Sequence, residues 1–219
     1  MTRSLAERPR LTFWFEFAST YAYLAAMRVE GRARAWGVAL DWRPFLLGPV
    51  FAAQGWETSP FLIYPAKGRF MWRDMARRAE ALGLAFRVDP PAFPVNSAPA
   101  ARLAIAALER PEGPAFVRAV YAAQWAQARD VADAGVLADC AREAGLDPAA
   151  LAERAGALRP RLREHTEAAM AAGVFGAPSF AAGGELFWGA DQMEDALSWA
   201  ATGRLAPAAG QGDDPEDRP

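Results

Sequence analysis

Cysteine and histidine are nearly absent from this chain of 219 residues, which holds one of each, Cys140 and His165. A single cysteine excludes an internal disulfide framework and any dithiol cycle run within the chain. It fits a reducing compartment, so the cytoplasm is the expected location. One histidine with one cysteine leaves no His/Cys zinc set, and no metal is expected. Charge of one sign is missing too: 24 Lys and Arg face 26 Asp and Glu, for a net charge of −2. That balance gives no global pull toward nucleic acid or an anionic membrane, and neither is an expected partner. No apolar run approaches the roughly 20 residues of a transmembrane helix. The opening MTRSLAERPR has no apolar signal-peptide core. What the chain does have is core-forming material: it is 53% hydrophobic and carries eight tryptophans. That suffices for one large domain or one domain with an insertion.

Along the chain, residues 1–10 read as a loose lead-in. Leu11 to Phe17 is apolar and aromatic with only Glu16 charged, which predicts a buried strand. Tyr21 to Trp36 has helical spacing and stops at Gly37. Val38 to Phe45 alternates as a strand, completing a β-α-β unit with a right-handed crossover. The next stretch, to Pro65, is broken by Gly48, Gly55 and Pro60 and reads as loop-rich. From Lys67 the pattern is helical to Gly83, with Phe70, Met71, Met75, Ala79 and Leu82 on one face. Asp89 to Pro94 reads as an extended connector. Further helices are expected at about 98–110, 113–128, 132–144, 148–156 and 159–172, with Ser97, Asp133 and Asp147 as caps or turn residues. Two short strands, Ser179 to Ala182 and Glu185 to Trp188, flank a Gly183-Gly184 hairpin signal. A last helix covers Asp191 to Thr202, and the Pro-, Gly- and acid-rich tail reads as disordered.

Two segments carry candidate chemistry. FWFEFASTYAYLA (Phe13 to Ala25) is a strand that breaks at Ala18-Ser19-Thr20 and enters a helix. GVFGAPSF (Gly173 to Phe180) leads into the hairpin. Together they resemble the two halves of a thioredoxin-type site: a helix N-terminus and a cis-proline loop facing it. Ser19-Thr20-Tyr21-Ala22 stands where thioredoxins carry Cys-x-x-Cys. Ser19 can cap the helix or donate a hydrogen bond to an anion such as a thiolate. A cis bond before Pro178 would expose the Ala177 N–H and C=O to an extended peptide. Asp191 reads equally as a helix-start acid and as a partner for a ligand ammonium. Among Lys67, Arg69, Trp72 and Arg73, Lys67 is the best candidate because it follows the Pro-rich loop. His165 reads as a surface or satisfied histidine, and Cys140 as packing.

The order β-α-β, helices, β-β-α is similar to a thioredoxin-like α/β fold with a large all-α insertion. The expected division is 11–47 with 173–203 as a split thioredoxin-like domain, 48–172 as the helical insertion, and 204–219 as a tail. More specifically, the chain resembles the 2-hydroxychromene-2-carboxylate isomerases. FWFEFASTYAYLA, WRPFLLGPVF, PAKGRFMWRD, FPVNS followed by RLAIAA, and GVFGAPSF with GELFWGADQ carry that resemblance from about Leu11 to Ala200. That family is similar to kappa-class glutathione transferases and to disulfide oxidoreductases with a helical insert.

The resemblance implies a homodimeric, glutathione-dependent isomerase of aromatic catabolism acting on a small aromatic carboxylate. Ser19 would stabilise the glutathione thiolate. Ala177, ahead of Pro178, would hold the cysteinyl part and Asp191 the γ-glutamyl ammonium. Lys67 would touch glutathione, with Asn96 and Trp56 on the substrate side. Thr20, Trp56, Ala190, Gln192 and His165 depart from residues common in the family. The rival expectations are a kappa-like glutathione transferase and a non-catalytic binding protein of the same fold.

Overall fold

The central strand is apolar on both faces because both faces are covered. In the computed structural model, which describes residues 8–88, 90 and 92–205, β1 (Arg10–Phe15) pairs in parallel with β2 (Ala39–Pro44) and antiparallel with β3 (Ser179–Ala182). A hairpin adds β4 (Glu185–Trp188), giving the sheet order β2-β1-β3-β4. Gly183 and Gly184 both have positive φ, 59° and 87°, the backbone that a two-residue hairpin turn needs. Leu11, Phe13 and Phe15 face the main core, where Phe13 stacks on Phe180 at 5.1 Å and meets Trp42 edge-on at 5.1 Å. Trp14 points the other way, into a smaller cluster with Phe45, Val50, Ala169 and Val174. This is a thioredoxin-like α/β fold whose helical block lies between β2 and β3. The expected lead-in at residues 1–7 and tail at 206–219 lie outside the described residues, as do Asp89 and Pro91 of the expected connector.

The helix expected from Tyr21 to Trp36 is two helices, α1 (Thr20–Ala26) and α2 (Val29–Trp36). No glycine or proline causes the break. Arg28 leaves helical geometry at φ −122°, and its guanidinium donates to Leu24 O at 2.9 Å and to Ala190 O at 3.3 Å. A tertiary contact from the far end of the chain therefore accompanies the break.

The stretch that reads as loop-rich holds α3 (Leu47–Ala53) and the short α4 (Pro60–Ile63) ahead of α5 (Pro65–Ala81). Its prolines sit in first turns, where the missing N–H costs nothing. Ser59 caps α4 by accepting from Phe61 N at 3.3 Å. On α5, Met71, Met75 and Ala79 are buried, but Phe70 and Leu82 are exposed.

The rest of the helical block is α6 (Ala98–Ala107), α7 (Gly113–Trp125), α8 (Ala134–Glu143), α9 (Pro148–Gly156) and α10 (Arg159–Ala171), and α11 (Met193–Thr202) is the last element among the described residues. Asp133 and Asp147 cap α8 and α9 as expected, whereas Ser97 makes no cap bond to α6. Two bonds fasten α7 to the end of the central strand. Tyr121 donates to Glu16 O at 2.9 Å and Trp125 Nε1 to Phe17 O at 3.2 Å. These bonds fix the helical block against the strand-to-helix turn at Ala18-Ser19.

Candidate functional site

The turn after β1 is held from both sides. Ser19 N donates to Glu16 O at 3.0 Å, and Ala18 N donates to the Glu16 carboxylate at 2.8 Å. The other carboxylate oxygen accepts from the Ser97 hydroxyl. Ser97 is thus drawn away from capping α6 and toward the strand. Glu16 is almost fully buried, and burial pushes its carboxyl up to about 7 against the two hydrogen bonds that favour the charge.

Ser19 is the N-cap of α1, its Oγ accepting from Ala22 N at 3.2 Å. The same hydroxyl donates to Ala177 O at 2.7 Å, across 158 residues of sequence. The Ala177-Pro178 peptide bond is cis. The two segments singled out in the sequence therefore meet in a direct hydrogen bond.

They meet in a cleft of about 1280 Å³ between one end of the sheet and the helical block. Ser19, Trp56, Lys67, Asn96, Ala177, Pro178 and Asp191 all line it. Lys67 is exposed, with Nζ 4.7 Å from the centre of the Tyr64 ring. Asn96 is exposed and accepts from Ala98 N at 3.4 Å. Trp56 is half-buried beside Phe51, ring centres 5.7 Å apart. Asp191 is exposed and lies just ahead of α11 rather than inside it. Gly189 before it has φ 112°, and a Cβ there would sit 2.4 Å from the Asp191 carboxylate. The backbone at Gly189 thus reserves the space this carboxylate occupies.

A polar cluster at the cleft wall has no counterpart among the sequence candidates. Tyr21 donates to Asp74 at 3.0 Å, and Asp74 accepts from Arg78 at 2.7 Å and Arg77 at 3.2 Å. Burial opposes the Asp74 charge, but these donors hold its carboxyl below the usual range. Burial, with the Asp74 charge next, pushes the Tyr21 phenol up to about 12. Tyr21, Asp74, Arg78 and Asp191 all line the cleft. The available signal was the Asp74/Arg78 spacing of four, which is commonplace on helices. Glu16 had a clearer one, a lone charge in an apolar strand. The aromatic rim, Phe70 with the Phe175–Trp188 pair at 5.0 Å, was also missed.

The remaining candidates fall outside the cleft. His165 is buried, its Nδ1 3.2 Å from Pro44 O, and burial lowers its basicity. Cys140 is buried in the helical block, and burial pushes its thiol up to about 11. Among the described residues no cluster of His, Cys, Asp and Glu could hold a metal ion. No helix among them is long and apolar enough to cross a membrane.

Known proteins share this fold. The profile of the DSBA-like thioredoxin domain matches residues 10–198. A 2-hydroxychromene-2-carboxylate isomerase of Sphingobium xenophagum is 31% identical over 84% of this chain and 94% of its own length. One from Pseudomonas putida is 28% identical over 83% and 89%. The solved structure of a 2-hydroxychromene-2-carboxylate isomerase superposes with a TM-score of 0.73 at 26% identity, covering 84% of this chain and 90% of that one. A probable DsbA oxidoreductase from Streptomyces coelicolor, 24% identical, covers 94% and 97% with a TM-score of 0.70 and shares the fold. The chain belongs to the DSBA-like thioredoxin family and is 2-hydroxychromene-2-carboxylate isomerase-like.

Proposed function

We propose that this protein is a glutathione-dependent isomerase of the 2-hydroxychromene-2-carboxylate type, working as a cytoplasmic homodimer on a small conjugated aromatic carboxylate. The observation that carries the reading is the Ser19–Ala177 contact inside a cleft that also presents Asp191 and Lys67. The polar groups of the cleft fit a peptide thiol. Asp191 matches an ammonium, the Ala177 carbonyl an amide N–H, the Ser19 hydroxyl a sulfur anion and Lys67 a carboxylate. When bound, glutathione supplies a thiol nucleophile that adds to a conjugated carbon and departs again, so no net redox change is needed.

The chain's own residues orient the thiol and the substrate. Ser19 Oγ–H donates toward the sulfur and favours its anionic form. Trp56, Phe70 and Trp188 give the cleft apolar ring surface against which a conjugated substrate can lie. The likeness to 2-hydroxychromene-2-carboxylate isomerases over most of the chain favours the isomerase over a kappa-like transferase acting on uncharged electrophiles.

Calorimetry with glutathione tests the reading. We expect binding in the micromolar-to-millimolar range, about tenfold weaker in Asp191→Ala, the low end for losing a charged hydrogen bond at an exposed site. Gly189→Ala should weaken binding as well, because its Cβ displaces the Asp191 carboxylate. Turnover of 2-hydroxychromene-2-carboxylate, followed by absorbance, completes the test. No binding at several millimolar glutathione would sink the proposal.

A further inference from the structure

We infer that the Ala177 carbonyl oxygen makes the cleft selective for thiols carrying a backbone amide N–H, because it competes with the ligand sulfur for the single Ser19 hydroxyl proton. The inference deepens the proposed function and rests on it. The Ser19 Oγ–H is committed to Ala177 O at 2.7 Å, while the oxygen accepts from Ala22 N at 3.2 Å. A serine hydroxyl carries one proton and makes one donated hydrogen bond. It cannot serve Ala177 O and a sulfur anion together. If Ser19 turns to the sulfur, Ala177 O loses its donor at a half-buried position, where an unmade hydrogen bond is costly.

A ligand amide N–H placed on Ala177 O removes that cost. Ala177 lies just before β3, lines the cleft and leaves its carbonyl outside the ladder that pairs β1 with β3. That is the setting for strand-like addition of a short extended peptide. Occupation of Ala177 O by the ligand N–H and donation by Ser19 to sulfur then favour each other. A small thiol without an amide meets Ser19 still bonded to Ala177 O, and its sulfur is not activated. In the activated state the thiol proton goes to solvent and the charge stays on sulfur beside Ser19.

The test compares glutathione with its ester analogue, in which oxygen replaces the γ-glutamyl–cysteinyl amide N–H and nothing else changes. The readout is the pKa of the bound thiol, from thiolate ultraviolet absorbance at saturation. Bound glutathione should titrate about one to two pH units below the bound ester, the range for a hydrogen bond to a charged group. In Ser19→Ala the two ligands should titrate together, which shows that the amide acts through Ser19. Equal thiol pKa values in the wild type, even with weaker ester binding, would overturn the coupling and leave the proposed function standing. Glutathione that neither binds nor shows a lowered thiol pKa would overturn both.

Discussion

Glu16→Gln should make the protein more stable than the wild type at pH 8, by about 3 kcal/mol, with the difference closing as the pH falls toward 4.5. The carboxyl titrates at about 7 in the folded chain against an ordinary value of 4.5, because burial outweighs the bonds from Ser97 and Ala18. The folded state therefore holds this proton more tightly than the unfolded state does. Between about pH 4.5 and 7 the folded state binds more protons, so stability falls as pH rises. At about 1.4 kcal/mol per pH unit the full span is about 3 kcal/mol.

Glutamine copies the protonated acid: its carbonyl oxygen accepts from Ala18 N, and its amide donates to Ser97 Oγ, which can accept as readily as donate. The other groups nearby do not obscure the result. Tyr121, bonded to Glu16 O, stays neutral because burial raises its phenol well above 10, and the Glu16 charge adds to that. His165, whose basicity burial lowers, works in the opposite direction. It does so equally in both proteins. Urea unfolding at several pH values measures the difference, which for a chain of this size is a Tm gap of about 6–12 °C at pH 8. Parallel stability curves for the two proteins would show that Glu16 is not the buried acid described here.

Glu16 also marks the boundary of what the sequence made legible. A lone charge in FWFEFAS was visible, but its partner Ser97 lies 81 residues away, and Ser97 itself read as a cap. Helix limits in the alanine-rich block were readable because Gly, Pro and Asp punctuate it, and Asp133 and Asp147 cap as local chemistry dictates. The Gly183-Gly184 hairpin was readable for the same local reason. The break at Met27-Arg28 was not, since it is tied to a carbonyl at Ala190. The seven candidate cleft residues came from family resemblance and from two local motifs. That they line one cleft is a property of the fold, which no spacing between positions 19 and 191 expresses. The Tyr21–Asp74–Arg78 cluster escaped because nothing local separates it from ordinary helix-surface charge.

Ser19→Ala should lower isomerase activity about 10- to 150-fold, the cost of losing a hydrogen bond to a charged group. Three roles meet in the one hydroxyl, and they separate by measurement. As the cap of α1 it accepts from Ala22 N, so its loss should cost about 1 kcal/mol of stability. As the donor to Ala177 O it ties the strand-to-helix turn to the loop before β3, and its loss leaves that carbonyl without the bond. The cap leaves the ionisation of a bound thiol unchanged, and the Ala177 bond acts on it only by holding the Ser19 proton away from sulfur. Only the donor role toward sulfur lowers the thiol pKa, and it predicts that in Ser19→Ala the bound glutathione thiol rises back toward its ordinary value near 8.5. Ser19→Thr supplies the control: it keeps a hydroxyl and a capping oxygen, and should recover most of the activity and the lowered thiol pKa. An alanine variant that loses stability but keeps activity within about threefold, with the thiol unmoved, would reduce Ser19 to a helix cap. The chemistry would then have to be sought at the Tyr21 end of the cleft, where a phenol donates to Asp74.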